Sequence, residues 1–324
     1  MKIAILDDYQ NVIKDLECFK MLDGQEVLIL NNTEKDMTLL SEKLKGIEVI
    51  VLTRERTIID DDLLSRLPDL KLISQTGKIS NHLDLAACTR HKVAVAEGIG
   101  SPIAPAELTW ALIMNTVRQI PNAIEGMKNG QWQINIGSSI HGKTIGIWGY
   151  GKIGKRIADY AKIFGAKVLI WGSENSRERA VNDGFEIADT KEAFFSTADI
   201  ISLHLRLSEN TFEIVKGTDL SLMKPSSVLI NTARAELIEK GALLKSLRNG
   251  RPGFAGIDVY EEEPIYNPDY ELLKMSNVLC TPHLGYVEKN GFELYFSKAF
   301  ENVINYVNGD PSNIANPEIL NQRF

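Results

Sequence analysis

The stretch Ile145-Gly146-Ile147-Trp148-Gly149-Tyr150-Gly151-Lys152-Ile153-Gly154-Lys155-Arg156-Ile157 decides how the chain is read. A short apolar run ends at Trp148, and a G-x-G-x-x-G pattern follows where the spacing of apolar residues turns helical. In such a strand-turn-helix, Gly149 permits the tight turn, Gly151 lets the backbone approach a pyrophosphate, and Gly154 lets helix and strand pack closely. The anion rests on the helix N-terminus, where unpaired amides and the helix dipole favour negative charge. The bare glycine pattern is weak; its place between a strand and a helix is what makes Gly149 to Gly154, with Tyr150, Lys152 and Ile153, a dinucleotide-phosphate turn.

Short runs rich in Val, Ile and Leu recur on both sides of it. Ahead lie Ile3 to Leu6, Val27 to Leu30, Val49 to Leu52, Leu72 to Ser74 and Val93 to Ala96. A second series comprises Thr144 to Trp148, Lys167 to Trp171, Asp199 to His204, Ser227 to Asn231, Phe254 to Val259 and Val278 to Cys280. Strands alternating with helical patterns imply βαβ units and parallel sheets buried on both faces. Two series predict two doubly wound α/β domains, and 324 residues is about two domains' worth at ~150 residues each. Ala104 to Met127 predicts one helix opening the second domain, and Gly285 to Val307 predicts a last long helix returning to the first. The expected division is residues 1–102 with 285–324 against residues 103–284.

Acidic residues outnumber basic ones by 43 to 36, for a net charge of −7, so the chain lacks the positive field that draws proteins onto nucleic acid or anionic lipid. With 44% apolar and 24% charged residues it reads as an ordinary soluble globule. Cys18, Cys88 and Cys280 are far apart, indicating neither a disulfide framework nor a metal site and fitting a reducing, cytoplasmic compartment. No run approaches the ~18 apolar residues of a membrane helix.

In an NAD site the strand after the glycine turn ends in an acidic residue that holds the ribose hydroxyls. Here Lys167 to Trp171 runs into Gly172-Ser173, followed by Glu174, Asn175, Ser176 and Arg177. A missing carboxylate removes repulsion of a 2′-phosphate, and Ser173, Ser176 and Arg177 are donors for one, which favours NADP over NAD. The alternatives are Glu174 taking the acidic role from a displaced position, or Arg177 and Arg179 being only a solvated helix start.

Three later segments also run off strand ends, where open α/β sheets bind ligands: Asn231-Thr232-Ala233-Arg234-Ala235-Glu236, Asp258-Val259-Tyr260-Glu261-Glu262-Glu263-Pro264, and Thr281-Pro282-His283. They bring an Arg, a carboxylate and a His to one sheet edge, though each has a plainer reading, such as Arg234 pairing with Glu236.

With these segments in this order after the glycine turn, nearly the whole chain resembles the D-isomer-specific 2-hydroxyacid dehydrogenase family, which includes D-3-phosphoglycerate dehydrogenase and glyoxylate/hydroxypyruvate reductase. The resemblance implies a Rossmann cofactor domain inserted in a flavodoxin-like substrate domain, with the active site between them. It implies that Arg234 binds the substrate, that His283 is the acid/base with Glu263 as its partner, and that Asp258 faces the nicotinamide. It further implies cofactor contacts at Leu205, Arg206, Thr232 and Ala233. The chemistry agrees: a hydride delivered to a 2-keto acid leaves negative charge on oxygen, which an Arg stabilises and a protonated imidazole quenches.

In the first domain, Gln75-Thr76-Gly77-Lys78-Ile79-Ser80-Asn81-His82 resembles the family's substrate-carboxylate loop, with Ile79 where the family has a second glycine and Lys78 adding a charge. The Lys78 and Ile79 amides are expected anion contacts. Arg54 ends a strand and is expected near the substrate, or else, with Arg56, pairs with Glu55 or Asp60.

The expected function is hydride transfer between NAD(P) and a small 2-keto/2-hydroxy acid, by a homodimer embracing through Ala104 to Trp132. The alternatives are a D-3-phosphoglycerate dehydrogenase of serine biosynthesis and a nucleotide-sensing corepressor; the full Arg234, Glu263 and His283 set argues for chemistry.

Overall fold

The computed structural model describes residues 1–322, which form two compact units: Met1–Ser101 with the segment from Glu288 onward, and Pro102–Val287. Unit 1 holds a parallel sheet of β1 (Lys2–Ile5), β2 (Glu26–Ile29), β3 (Val49–Leu52), β4 (Leu72–Gln75) and β5 (Ala94–Ala96), in the order β2-β1-β3-β4-β5. Unit 2 holds β6 (Thr144–Trp148), β7 (Lys167–Trp171), β8 (Glu186–Ile187), β9 (Ile200–Leu203), β10 (Val228–Asn231), β11 (Phe254–Ile257) and β12 (Val278–Cys280). Its order is β12-β11-β10-β9-β6-β7-β8, again all parallel. These are the flavodoxin-like and Rossmann orders, as the sequence led us to expect.

The strands form where they do because both faces of each sheet are covered: β3, β4, β9 and β10 are buried at every position. Three helices of unit 1 start on aspartates. Asp36, Asp60 and Asp84 accept the amides of Leu39, Leu63 and Ala87 in Met37–Lys43, Asp61–Ser65 and Leu85–Arg90, each cap stabilising by about 1 kcal/mol. The helix Lys289–Val307 turns Phe292, Phe296, Ala299, Phe300 and Val303 inward at helical spacing, and its Ala299 carbonyl accepts the Ser74 hydroxyl of β4 at 2.8 Å. Beyond β1, Asp7 is buried in a left-handed conformation (φ 64°), its carboxylate accepting the Thr33 and Thr57 hydroxyls at 2.5 and 2.7 Å.

Two expectations need correction. Ala104 to Met127 is two helices, Ile103–Arg118 and Ile120–Lys128, broken at Gln119 (φ 51°) because Pro121 lacks an N–H and its ring disfavours helix before it. The last helix begins at Lys289, capped by Glu288, and not at Gly285, whose amide is already held by Asp258. That bond, with the Leu284 amide also on Asp258 and the ring of Tyr286 against His283, holds 284–287 within the compact unit Pro102–Val287. The two-residue strand β8 escaped the reading altogether, being too short for a period. Among the described residues no helix is long and apolar enough to cross a membrane.

Candidate active site

Register collects the site in unit 2. Trp171, Trp148, Leu203, Asn231, Ile257 and Cys280 lie side by side across six strands. The residues that follow them, Gly172, Gly149, His204, Thr232, Asp258 and Thr281, therefore line one edge of the sheet, its carboxyl edge, where doubly wound folds bind ligands.

At one end of that edge stand the acid/base candidates. His283 Nδ1 is 2.7 Å from Glu263 Oε2, both side chains being about a fifth exposed. The other oxygen of Glu263 accepts the Tyr260 amide at 2.9 Å, so the carboxylate is fixed at both ends. A carboxylate only accepts, so it holds the proton on Nδ1 and leaves Nε2 unprotonated in the neutral ring. His283 has a left-handed backbone (φ 51°), a costly state for a non-glycine residue that survives only where its surroundings impose it. Asp258 imposes it. Fully buried, its carboxylate accepts the Thr281 hydroxyl and the Leu284 amide on one oxygen, at 2.6 and 2.7 Å, and the Gly285 amide on the other at 2.9 Å. Burial raises the Asp258 carboxyl above its ordinary range against the lowering effect of those bonds and of His283. Arg234 follows β10 in a turn shaped by Asn231, whose side chain donates to the Arg234 carbonyl at 2.8 Å and accepts the Ala233 amide at 3.0 Å. The guanidinium of Arg234 donates to the Ala233 carbonyl at 2.6 Å.

In unit 1, Arg54, Lys78 and Ile79 also come together. Arg54 is left-handed (φ 57°) with its amide on the Thr76 hydroxyl, and its guanidinium packs so closely on Gly77 that a Cβ there would collide with it. Lys78 meets Glu97 at 2.6 Å, and the Ile79 amide, expected to await a ligand anion, donates to the same Glu97 carboxylate at 3.0 Å.

Residues 110–285 match the family described as D-isomer specific 2-hydroxyacid dehydrogenase, NAD binding domain. The chain belongs to that family. It is 33% identical to a glyoxylate reductase of Thermococcus litoralis over 87% of either chain. Among solved structures it is similar to a putative D-3-phosphoglycerate dehydrogenase from Ralstonia solanacearum, at 47% identity and TM-score 0.96 over 98% of each chain. It is also similar to a phosphoglycerate oxidoreductase from Vibrio cholerae, at 51% identity and TM-score 0.93 over 95% of this chain and 99% of that one. A 2-hydroxyacid dehydrogenase acting on CH–OH donors with a nicotinamide cofactor is thus the activity class, as the motifs implied.

The glycine turn of this 2-hydroxyacid dehydrogenase fits such a cofactor. A Cβ on Gly149 (φ 103°) would stand 2.6 Å from the His204 carbonyl, and one on Gly154 would collide with the Gly149 carbonyl, so the turn's own packing demands both glycines. A Cβ on Gly151 would meet nothing within 4 Å; the space there is open to a ligand. The helix Lys152–Ile163 begins at Gly151 without a side-chain cap, leaving its first amides for an anion. Tyr150 is buried, its hydroxyl on Asp183 at 2.7 Å, and Leu205 reaches toward Gly149. The Thr232 hydroxyl bonds that of Thr109 at 2.7 Å, and exposed Arg206 carries on from β9. At the end of β7, Ser173 caps the helix Glu174–Asn182 by accepting the Ser176 amide at 3.4 Å. Arg177 lies over the Trp171 ring, 5.2 Å from its centroid, with a buried Nε that has no hydrogen-bond partner.

Three contributors went unread in the sequence: Tyr260, which holds Glu263; Asn231, which shapes the Arg234 turn; and Glu97. The first two lay within quoted motifs but act through backbone hydrogen bonds that spacing does not reveal. Glu97 gave only one signal, its place directly after a strand.

Proposed function

We propose that the chain interconverts a small 2-keto acid and its D-2-hydroxy acid, with Arg234, Glu263 and His283 as the working set and NADP(H) as the preferred cofactor. The observation that carries it is the His283–Glu263 pair at 2.7 Å with Glu263 locked by the Tyr260 amide. The bound nicotinamide supplies or takes the hydride. In reduction, Arg234 stabilises the negative charge growing on the carbonyl oxygen while His283 Nε2 gives that oxygen its proton. Glu263, as a carboxylate, holds the proton on Nδ1 by accepting its hydrogen bond and balances the charge of the imidazolium, so the ring needs no rotation between turnovers. In oxidation the neutral imidazole takes the hydroxyl proton instead. Asp258 holds the His283 segment and faces the nicotinamide; Lys78 and Ile79 take the substrate's carboxylate, and Arg54 the substrate's far end.

NADP(H) preference rests on the absent carboxylate at Gly172-Ser173 and on Arg177, whose orphaned Nε and ring-stacked guanidinium suit a 2′-phosphate, alongside Ser173 and Ser176. Glyoxylate and hydroxypyruvate are the first substrates to assay. The second reading, 3-phosphohydroxypyruvate as substrate, is favoured by the names of the two structures that are about half identical to the chain. We assign it a homodimer, supported by exposed Ile120, Ile124, Met127, Trp132 and Ile136 in and after the helix Ile120–Lys128. Initial rates with NADPH and NADH against these acids test the substrate and cofactor together, and sedimentation tests the dimer.

A further inference from the structure

Unit 1 carries an anion contact that none of these roles uses. Glu97 directly follows β5, and its carboxylate spans the 77–79 loop: Oε1 accepts the Ile79 amide at 3.0 Å and Oε2 meets the Lys78 ammonium at 2.6 Å. The Ile79 amide is one of the donors assigned to the substrate's carboxylate and the Lys78 ammonium is the charge beside it, so a carboxylate of the chain already engages this part of the loop.

The backbone of Glu97 is pinned. Its amide donates to Asn313 at 2.9 Å, its carbonyl accepts the Asn302 side chain at 3.1 Å, and the Gly98 amide donates to Gly77 at 2.8 Å. Only the side chain is left to move. With Glu97 in place the Lys78 ammonium is neutralised and the Ile79 amide is paired; with it swung away, the loop offers one ammonium and one amide a carboxylate's width apart, donors that charge-assisted hydrogen bonding makes selective for a second carboxylate. The Lys78 end is already wet, its side chain being 66% exposed against 22% for Glu97, so the ion pair is the weaker hold and the amide bond the stronger.

We propose that Glu97 determines the loop's affinity and specificity, its carboxylate occupying Lys78 and Ile79 until the carboxylate of a 2-keto acid displaces it. The proposal rests on the reading of this loop as the substrate-carboxylate site. Two consequences follow from the exchange. Apparent affinity for the acid falls by the fraction of time the loop is free, so a loop free about a tenth of the time weakens binding about tenfold. A neutral analogue, such as the acid's amide, cannot replace both contacts and is rejected by a site that is already satisfied.

The test is steady-state kinetics of the full-length Glu97→Gln enzyme with NADPH and whichever of glyoxylate, hydroxypyruvate and 3-phosphohydroxypyruvate the wild type turns over best. Uncharged Gln competes poorly for Lys78, so KM for the acid is expected to fall about five- to tenfold with kcat and the KM for NADPH changed less than about twofold. Glu97→Ser is expected to move KM the same way and serves if the Gln variant does not fold. An unchanged KM overturns the proposal, as does a raised one, which would make Glu97 a brace of the binding conformation. Lys78→Met separates the two readings. If it raises KM while Glu97→Gln leaves KM unchanged, the loop binds the carboxylate and only the competition is refuted; if neither variant moves KM, the loop is not the carboxylate site and both fall.

Discussion

The carboxylate of Asp258 accepts the backbone amide of Leu284 at 2.7 Å, one residue past His283. With the Thr281 and Gly285 bonds it brackets His283 from both sides, so a buried acid on one strand end sets the position of an imidazole on the next.

Removing that bracket is expected to cost both stability and turnover. Asp258→Ala leaves the Leu284 and Gly285 amides without their acceptor, a loss of about 3 kcal/mol or more for a buried charge-assisted network. Asp258→Asn keeps the shape and one acceptor oxygen and is expected to cost about half as much. Because the left-handed His283 is then free to relax, kcat is expected to drop at least about tenfold in Asp258→Asn, with the KM of the acid moving less. Thermal melts and steady-state rates check this; full kcat in a folded Asp258→Asn enzyme would contradict it.

The glycines of the turn are expected to separate folding from cofactor binding. Gly154→Ala drives a methyl into the Gly149 carbonyl and is expected to destabilise the free enzyme by about 2 kcal/mol or more. Gly151→Ala meets open space, so the free enzyme is expected to lose no more than about 1 kcal/mol, the difference between Gly and Ala at a helix start. Its methyl nevertheless occupies room that a pyrophosphate needs, and the KM for NADPH is expected to rise more than about tenfold. Melts without cofactor, set beside the NADPH KM, distinguish the two variants.

Asp7, buried in unit 1, offers a pH test of stability. Burial raises its carboxyl above the ordinary value despite the Thr33 and Thr57 bonds and the nearby Arg56 charge. A group raised in the folded state contributes stability that is complete below its unfolded value, about 3.9, and is lost as pH rises through the folded value. Asp7→Asn removes that loss and suits the left-handed backbone. The variant is therefore expected to gain stability relative to wild type as pH is raised from about 4 toward 7 and to level off above the folded value. Denaturant titrations across that range check it; a difference independent of pH would refute the assignment of the cost to the buried charge.

Cofactor choice is expected to turn on Arg177. Arg177→Ala should lower kcat/KM for NADPH about tenfold or more, as loss of a charge-assisted phosphate contact implies, while leaving the value for NADH within about twofold. Equal losses for the two cofactors would mean that the guanidinium serves only its stack on Trp171.

What the sequence disclosed, and what it hid, follows from the range of the interactions. Buried parallel strands write themselves as Val, Ile and Leu runs, and the glycine turn occupies six consecutive residues, so both sheets and the Gly149 to Gly154 turn were legible. The His283–Glu263 pair was legible only because three strand-end motifs occur together in order. The Asp258 bracket was not, since it joins a side chain to amides 26 and 27 residues away whose identity leaves no trace in sequence. Glu97 was hidden for the same reason, meeting the loop from 18 and 19 residues away. The helix break at Gln119 was there to be read in Pro121, and apolar periodicity carried across it masked the signal.

The reaction we propose for this chain is hydride transfer between a nicotinamide and a 2-keto acid through His283. The most direct measurement is the rate of NADPH oxidation with glyoxylate, hydroxypyruvate and 3-phosphohydroxypyruvate by wild type and by His283→Ala, with NADPH binding to each followed by fluorescence. Wild type is expected to turn over at least one acid and His283→Ala to lose about a thousandfold or more, with NADPH affinity retained. Binding of NADPH without oxidation by any of the three acids, or undiminished turnover in His283→Ala, would contradict the proposal.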